Sequence, residues 1–493
     1  MPAVEAGQRP GSGRTASGRQ ASGRQLATLS TGVHTPRSVT GPPAPPTLVR
    51  NLSLRDLVVY GLLFIGPLAP VGVYGVLDAH ANGAVALVYL LATLAMAFTA
   101  WSYAQMSRVV PHAGSVFAYA SEGLGRPAGF IAGWMAILDY LLIPSVAYLF
   151  SGIALHAMVP SVGAWVFTVV AFGLTTALNL MGVGVAARVG FVVLVAEIVV
   201  LALFVVGAIV VLAAGGQARP WSAPFTGVGP IDLRMIAGAI SIAVLSFLGF
   251  DAIASFAEES TGDARQVGRA IMFCLVVAGV LFVVESYLAG VLSAIPPSEL
   301  AAHPGRQGTA FYDLTRAAIG PWLATALAVT KAVGPAFSAM TGQAAAGRLL
   351  FGMARDGRLP GVLARVDARH GVPRASLLTV AALTLAVSVW AVRQADGLSV
   401  LVSIVDVGAL AAFTLLHASV VGYFVVRHKG AVRAAHRVVP VMGAVVTLWV
   451  LVGASPLARI VGATWFAAGV VVLVASGGNG PSARPRRPRR GAA

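Results

Sequence analysis

The chain is dominated by long, unbroken apolar segments that recur from residue 57 almost to its end. Each is about 20 residues long, which is enough for an α-helix to cross the roughly 30 Å hydrocarbon core of a bilayer. In lipid, only helices and closed barrels satisfy all of their backbone hydrogen bonds. The strands of membrane barrels alternate apolar and polar residues over about ten positions, and these segments do not. The sequence therefore predicts an all-α integral membrane protein.

Composition supports the membrane class and argues against other functions. Hydrophobic residues make up 57% of the chain and charged residues 11%, whereas soluble domains average about 25% charged residues. A net charge of +16 is typical of nucleic-acid-binding proteins, but nearly all the arginines lie in loops and tails, so no nucleic-acid partner is predicted. No Gly-Lys-Ser/Thr phosphate loop occurs, so ATP is not predicted to bind. The histidine spacing and the single Cys274 indicate no metal site.

We place twelve spans between two polar tails. Numbered in chain order, they lie near 57–79, 84–106, 127–155, 161–182, 189–214, 234–257, 267–294, 320–342, 373–392, 398–426, 438–453 and 459–476. The helical core therefore covers residues 51–476. Residues 1–50 and 477–493 are rich in Gly, Ser, Pro and Arg, a composition typical of disordered tails. As basic segments, both tails are expected to be topological anchors; contact with anionic lipids is the alternative.

The distribution of basic residues predicts the orientation. If the N-terminus is cytoplasmic, inner segments hold 27 of the 34 Lys and Arg residues and outer loops hold six. Positive charge favours the cytoplasmic side, so the protein is predicted to lie in the cytoplasmic membrane with both termini in the cytoplasm. Of the inner segments, Gln105–Gly133 is predicted to contain a short interfacial helix, and Gly347–Pro360 to be a basic connector that follows span eight.

Span one carries residues that interrupt a helix. Pro67 and Pro70 lack amide hydrogens and clash with the carbonyls of Leu63 and Gly66. A helix broken at this depth is tolerated only where the backbone lines a cavity or binds something. The alternative is an ordinary proline kink that neighbouring helices satisfy.

Span six carries a matching interruption, in which small residues and a glycine precede a carboxylate. Paired interruptions in spans one and six indicate an inverted-repeat transporter with a site near the membrane midplane. The candidate substrate-binding residues are Gly66, Pro67, Leu68, Ala69, Gly72, Ser246, Phe247, Leu248, Gly249, Phe250 and Asp251. In such a site, freed carbonyls hold cations and freed amides hold anions; Phe247 or Phe250 is the candidate gate.

Six ionisable side chains lie within spans: Asp139, Glu197, Asp251, Glu285, Lys331 and Asp406. A charge at mid-helix costs roughly 2.5–3.5 kcal/mol on insertion scales, so such residues face the bundle interior and serve a function. Glu197 is the candidate proton carrier, with Lys331 and Asp139 as partners, whereas Glu285 lies nearer the outer surface. The alternative to a role in proton transfer is a structural ion pair between the lysine and a glutamate or aspartate that only joins two helices. No cofactor is predicted; the driving ion is H⁺, with Na⁺ as the alternative.

Four segments resemble the amino acid–polyamine–organocation superfamily, and the resemblance covers residues 51–476. They are PHAGSVFAYASEGLGRPAGFIAGW after span two, GFDAIASFAEES in span six, SAMTGQAAAGRLLFGMARDGRLP from span eight onward and VDVGALAAFTLLHASV in span ten. The resemblance implies a five-plus-five inverted repeat of the leucine-transporter type, with repeats at about 57–214 and 234–426 and two extra helices at about 438–476. It also implies uptake or exchange of amino acids or polyamines, driven by protons, sodium or a counter-substrate.

Some positions depart from the superfamily pattern. The break Gly66–Pro70 and span three resemble the putrescine-importer branch, although Gly72 stands where that branch often has Asp. Proline removes amide donors, so this break favours an ammonium group. Many proton-coupled relatives have a Lys nine residues after an Arg in span five, whereas here Glu197 follows Arg188 at that distance. The glutamate fits either proton coupling or a cation site.

The sequence thus predicts a secondary transporter that moves an amino acid or small amine by alternating access. An enzyme is not predicted, because no nucleophile–base pair or metal cluster is present in the pattern. The alternative function is a membrane sensor or accessory subunit that has lost transport.

Overall fold

The computed structural model describes residues 48, 50–111, 114–263, 265–367, 369–394, 400–401, 404–427, 432–454 and 456–475. Apart from Leu48 and Arg50, the predicted tails 1–50 and 477–493 lie outside these residues. In the described ranges the regular structure is helical, with one isolated bridge between Leu52 and Ser260. Eleven helices there are long and apolar enough to cross a membrane, and Ala164–Leu180 is a shorter apolar helix.

These twelve helices correspond one to one with the twelve predicted spans, so the all-α membrane fold is confirmed. In chain order they are Leu54–His80 (broken), Val85–Val109, Arg126–Met158, Ala164–Leu180, Val183–Ala213, Leu233–Glu259 (broken), Gln266–Leu292, Pro321–Arg355, Arg374–Val392, Asp406–Val426, Ala435–Gly453 and Pro456–Ala475. The predicted short helix after span two is Ser115–Gly123. Between spans seven and eight lie the helices Pro297–Ala302 and Ala310–Ala318.

Span eight differs from its predicted bounds, because it continues as one helix to Arg355 instead of ending near residue 342. The predicted connector Gly347–Pro360 is therefore helical over its first half. No further proline follows Pro335 within this helix, and alanine, which is common there, is the best helix former. The charge of Arg348 does not end the span, since Glu259 neutralises it inside the bundle.

Spans one, three and six are the most deeply buried, and spans five, eleven and twelve are among the least. Spans three and eight pack along each other, as do spans two and seven. The two broken spans and span three are therefore central, where a solute pathway is protected from lipid, and the last two spans are peripheral.

Two buried ion pairs hold the ends of the broken spans. Near the end of span one, Asp78 accepts two hydrogen bonds from Arg219, at 2.7 and 2.8 Å. At the end of span six, Glu259 pairs with Arg348 of span eight. The backbone carbonyl of Glu259 also accepts hydrogen bonds from the amides of Asn51 and Leu52, just before span one. The two pairs therefore lie at opposite ends of span one.

Candidate substrate and coupling site

Span one is broken at the predicted prolines rather than merely kinked. Its first helix ends at Ile65, Gly66 adopts a φ of 76°, and the second helix begins at Ala69. Only glycine adopts this region of φ without strain. Pro67 has no amide for the Leu63 carbonyl. The carbonyl of Phe64 instead accepts a hydrogen bond from the hydroxyl of Ser338 in span eight, at 2.6 Å.

Span six is broken at the same level. The α-helix ends at Val244, Leu248 is extended, Gly249 has a φ of 116°, and a 3-10 helix runs from Phe250 to Glu259. A Cβ atom on Gly249 would lie 2.7 Å from Cγ of Phe64. Glycine is therefore required at position 249 for two reasons: its positive φ and its close contact with span one. The two breaks touch each other.

We expect Ser338→Ala to lower the free energy of unfolding by about 0.6 kcal/mol, the average for hydrogen bonds between membrane helices, and by no more than about 1.7 kcal/mol, the largest value for such bonds. The substitution leaves the Phe64 carbonyl without its donor from span eight. Ser286→Ala is the matched control, because that hydroxyl bonds only to carbonyls of its own helix, Phe282 and Val283. Thermal unfolding in detergent, followed by tryptophan fluorescence, measures both. Equal losses would show that the interhelical bond does not stabilise the break.

Asp251 lies at the break of span six with only one of its carboxylate oxygens bonded. Its side chain is buried, and Oδ2 accepts hydrogen bonds from the hydroxyls of Tyr140 at 2.7 Å and Tyr103 at 3.3 Å. Among the described residues, Oδ1 has no hydrogen-bond partner. The sequence did not identify either tyrosine. One acceptor is thus free for a donor that belongs to neither tyrosine.

Aromatic side chains surround the residues before Asp251. The hydroxyls of Tyr89 and Ser246 are 3.0 Å apart, and Phe247 packs on Tyr89. Phe250 lies edge-on to Tyr103, with ring centroids 6.2 Å apart. Both phenylalanines are fully buried, so a gating role for either requires its ring to move out of this packing.

The partly exposed faces of spans one and eight meet beside the breaks. On span one, Gly66, Ala69 and Gly72 are partly exposed, while most of their neighbours are buried. On span eight, Lys331 and Ser338 are also partly exposed. A Cβ on Gly72 would lie 3.9 Å from Nζ of Lys331. The candidate backbone of span one therefore lies next to a lysine of span eight.

Glu197 of span five packs against span eight close to this lysine. It is buried, and its Oε1 lies so close to Gly334 of span eight that a methyl group there would overlap it. Its Oε2 has no partner among the described residues. The charge of Lys331 acts on both Glu197 and Glu285. The structure thus brings together Glu197 and Lys331, and adds Glu285, which is fully buried with neither oxygen bonded in the described ranges.

Asp139 lies near two other carboxylates. Its carboxylate lies close enough to those of Asp251 and Asp406 for their charges to interact. Spans three and ten come together there, because a Cβ on Gly408 would lie 2.8 Å from the backbone nitrogen of Asp139. The structure therefore places Asp139 near the candidate substrate residue Asp251.

Comparison with known proteins gives a consistent family likeness. Residues 57–476 match the family model described as amino acid permease. The low-affinity putrescine importer PlaP of Escherichia coli (strain K12) is 28% identical over 436 residues, which cover 86% of this chain and 93% of the relative. The branched-chain amino acid permease BcaP of Bacillus subtilis (strain 168) is 28% identical over 402 residues, 76% of this chain and 81% of the relative. A probable GABA permease of Pseudomonas aeruginosa is 25% identical over 344 residues, covering 68% of this chain and 69% of the relative. The names of these three relatives give three different solutes: putrescine, branched-chain amino acids and GABA.

Proposed function

Because the chain belongs to the amino acid permease family, within the amino acid–polyamine–organocation superfamily, we propose that it moves amino acids or small amines across the cytoplasmic membrane by alternating access. Transport rather than catalysis is the activity of this family and of the relatives. The twelve apolar helices agree with a multi-pass membrane transporter.

The observation that carries the proposal is the contact between the two helix breaks. Phe64, next to the break of span one, packs against Gly249 in the break of span six. Backbone groups released at mid-membrane depth are tolerated where they line a binding cavity. Discontinuous helices that meet at the midplane are the usual substrate site of inverted-repeat transporters. A sensor on the same fold would keep the binding site but lose vectorial movement.

The chemistry at the breaks favours an amine on the solute. Pro67 and Pro70 supply carbonyl acceptors without amide donors. Asp251 adds an oxygen that lacks a partner among the described residues. An ammonium group has three donors and no acceptor, so it matches this set of acceptors.

We assign the coupling to protons, with Glu197 as the group that carries them. Glu197 is buried, has an unbonded oxygen in the described structure, and lies within the electrostatic influence of Lys331. Lys331 in turn lies beside Gly72 at the break of span one, so a change of charge at Glu197 reaches the substrate region. Sodium bound at the same carboxylate is the competing mechanism. The arginine-rich tails support cytoplasmic termini that lie against anionic lipid.

Uptake into proteoliposomes tests the proposal. The purified protein is assayed with putrescine, 4-aminobutanoate and branched-chain amino acids, under an inside-alkaline pH gradient or an inward sodium gradient. Proton coupling predicts accumulation of at least one solute in the first condition only. Accumulation with sodium alone would assign the coupling to sodium. A folded protein that moves none of these solutes above protein-free vesicles would favour the sensor or accessory role.

A further inference from the structure

Two arginines from different spans lie close to one aromatic ring at the edge of the helix bundle. Arg55, in the first turn of span one, places its guanidinium 4.3 Å from the ring centroid of Phe191 in span five. Arg188 precedes Phe191 by three residues, and residues three apart are neighbours on a helix surface. Both arginines are exposed. Spans one and five therefore present two positive charges near a single ring.

Neither of these charges is used within the part of the chain that the structure describes. The ion pairs of arginine there involve residues other than Arg55 and Arg188. Asp56, the neighbour of Arg55, instead accepts hydrogen bonds from the amide and hydroxyl of Ser53, at 2.9 and 2.7 Å, and caps the helix. A guanidinium that stacks on an aromatic ring keeps the N–H donors in its plane. Both arginines are thus available to bind an anion.

The position of Arg188 along span five matches the depth of lipid headgroups. The helix runs from Val183 to Ala213, so residue 198 is its middle and Arg188 lies ten residues earlier. At 1.5 Å per residue this separation is about 15 Å. Half of the hydrocarbon core of a bilayer is also about 15 Å thick. With the helix centred in the bilayer, Arg188 therefore lies where the acyl chains end and the headgroups begin, on the side that we propose to be cytoplasmic.

An apolar stripe continues from Arg188 along the same face of span five. Its members recur every three or four residues, as residues on one face of a helix do, and each is 42–67% exposed. They are Val192, Val195, Val199, Leu203, Val206 and Val210. Span five is also among the least buried of the spans. This face is therefore charged at one end and apolar along the rest, as a phospholipid is.

We propose that Arg55 and Arg188 bind the phosphate of an anionic phospholipid, with one acyl chain of the lipid along the apolar stripe of span five. Basic groups between membrane helices on the cytoplasmic side bind acidic headgroups, and the N–H groups of arginine match the oxygens of a phosphate. A soluble anion would leave the stripe uncovered. Because the first helix of span one ends at the break, at Ile65, the bound lipid joins this half-helix to span five.

Photo-crosslinking tests the assignment. Phosphatidylglycerol and phosphatidylcholine that carry the same diazirine-labelled acyl chain are added to the full-length protein in non-ionic detergent, and the labelled segments are identified by proteolysis and mass spectrometry. We expect phosphatidylglycerol to label residues 192–206 more than phosphatidylcholine does. Arg55→Gln and Arg188→Gln should each weaken this labelling about fivefold, the effect of one basic residue near an anionic headgroup. The double variant should label no better with phosphatidylglycerol than with phosphatidylcholine.

Arg108→Gln is the matched control, because Arg108 is an exposed arginine in the last turn of span two, on the same side of the membrane. It should leave the labelling of residues 192–206 unchanged. Phe191→Leu should reduce the labelling less than either arginine variant does, since it removes the stacking and keeps both charges. Glycerol 3-phosphate, which has no acyl chain, should not compete with the lipid. Substitutions of exposed side chains such as these rarely disturb folding.

Equal labelling of residues 192–206 by the two lipids would overturn the assignment, because it would show contact with bulk lipid only. A preference for phosphatidylglycerol that survives in the double variant would also overturn it. Competition by glycerol 3-phosphate would assign the arginines to a soluble anion instead. Absence of label from this segment, with dimers detected by light scattering, would show that a second copy of the chain covers the stripe. The labelling requires no transported solute, so its outcome is independent of the proposed transport function.

Discussion

The Arg348→Ala variant is expected to lose about 3–5 kcal/mol of stability, because it leaves a buried carboxylate without its partner. Arg348 and Glu259 are 3% and 1% exposed. The arginine donates from Nε to one carboxylate oxygen of Glu259 and from Nη2 to the other, the latter at 3.0 Å. Its guanidinium also lies 4.3 Å from the ring centroid of Phe256.

Loss of this arginine affects more than one helix. The backbone carbonyl of Glu259 accepts hydrogen bonds from the amides of Asn51 and Leu52, so the end of span six holds the start of span one. Arg348 connects that junction to span eight. An ionised Glu259 without a counter-charge would have to take up a proton or draw water into the bundle, and either change loosens the junction.

Thermal and denaturant unfolding in detergent measure the effect, with Arg306→Ala as the matched control. Arg306 pairs with Glu299 on the surface, and exposed pairs contribute about 0–1 kcal/mol. The loss of stability in Arg348→Lys should be intermediate between those of Arg348→Ala and Arg306→Ala, since lysine keeps the charge but cannot form the bidentate hydrogen bond. The double variant Arg348→Met, Glu259→Leu should recover most of the stability. Equal losses in Arg348→Ala and Arg306→Ala would contradict the expectation.

The features that the sequence predicted correctly are those determined within a single segment. Twelve apolar runs specify twelve helices, because the requirement to bond every backbone group in lipid leaves no other choice. Pro67 lacks an amide hydrogen whatever the helix packs against. Gly66 and Gly249 adopt the positive φ values that the breaks require. The broken spans one and six could therefore be predicted without knowledge of any tertiary contact.

The features that the sequence did not reveal depend on contacts between spans. Nothing local indicates that Tyr103 and Tyr140 donate to Asp251, or that Asp139 lies near it. The end of span eight was placed too early for the same reason. Arg348 looks like the residue that leaves the membrane until its partner is known to come from span six. Periodicity gives the buried face of a helix but not the neighbour that covers it.

The Glu197→Gln variant is expected to lose proton-driven accumulation while still allowing the solute to equilibrate. Glutamine has nearly the same shape as a protonated glutamate but cannot release a proton. With one proton per solute, a gradient of one pH unit, worth about 1.4 kcal/mol, supports roughly tenfold accumulation by the wild type. The variant should reach equal concentrations on both sides, whatever the pH gradient.

The expectation follows from where the carboxylate lies. Glu197 Oε1 packs against Gly334, and its other oxygen is unbonded in the described structure. The charge of Lys331 acts on it, and the same lysine lies beside Gly72 at the break of span one. Neutralising Glu197 leaves Glu285 as the other carboxylate that acts on Lys331 in the described structure, so the electrostatic field at the break changes with the proton on Glu197.

Proteoliposome uptake at several pH gradients measures the loss. Glu285→Gln is the control for removal of a buried carboxylate and should still accumulate solute. Gly334→Ala should weaken coupling without abolishing it, because its methyl group displaces the flexible end of Glu197 but leaves it able to ionise. If Glu197→Gln still accumulates solute in proportion to the pH gradient, the proton travels by another route and Glu197 only joins spans five and eight.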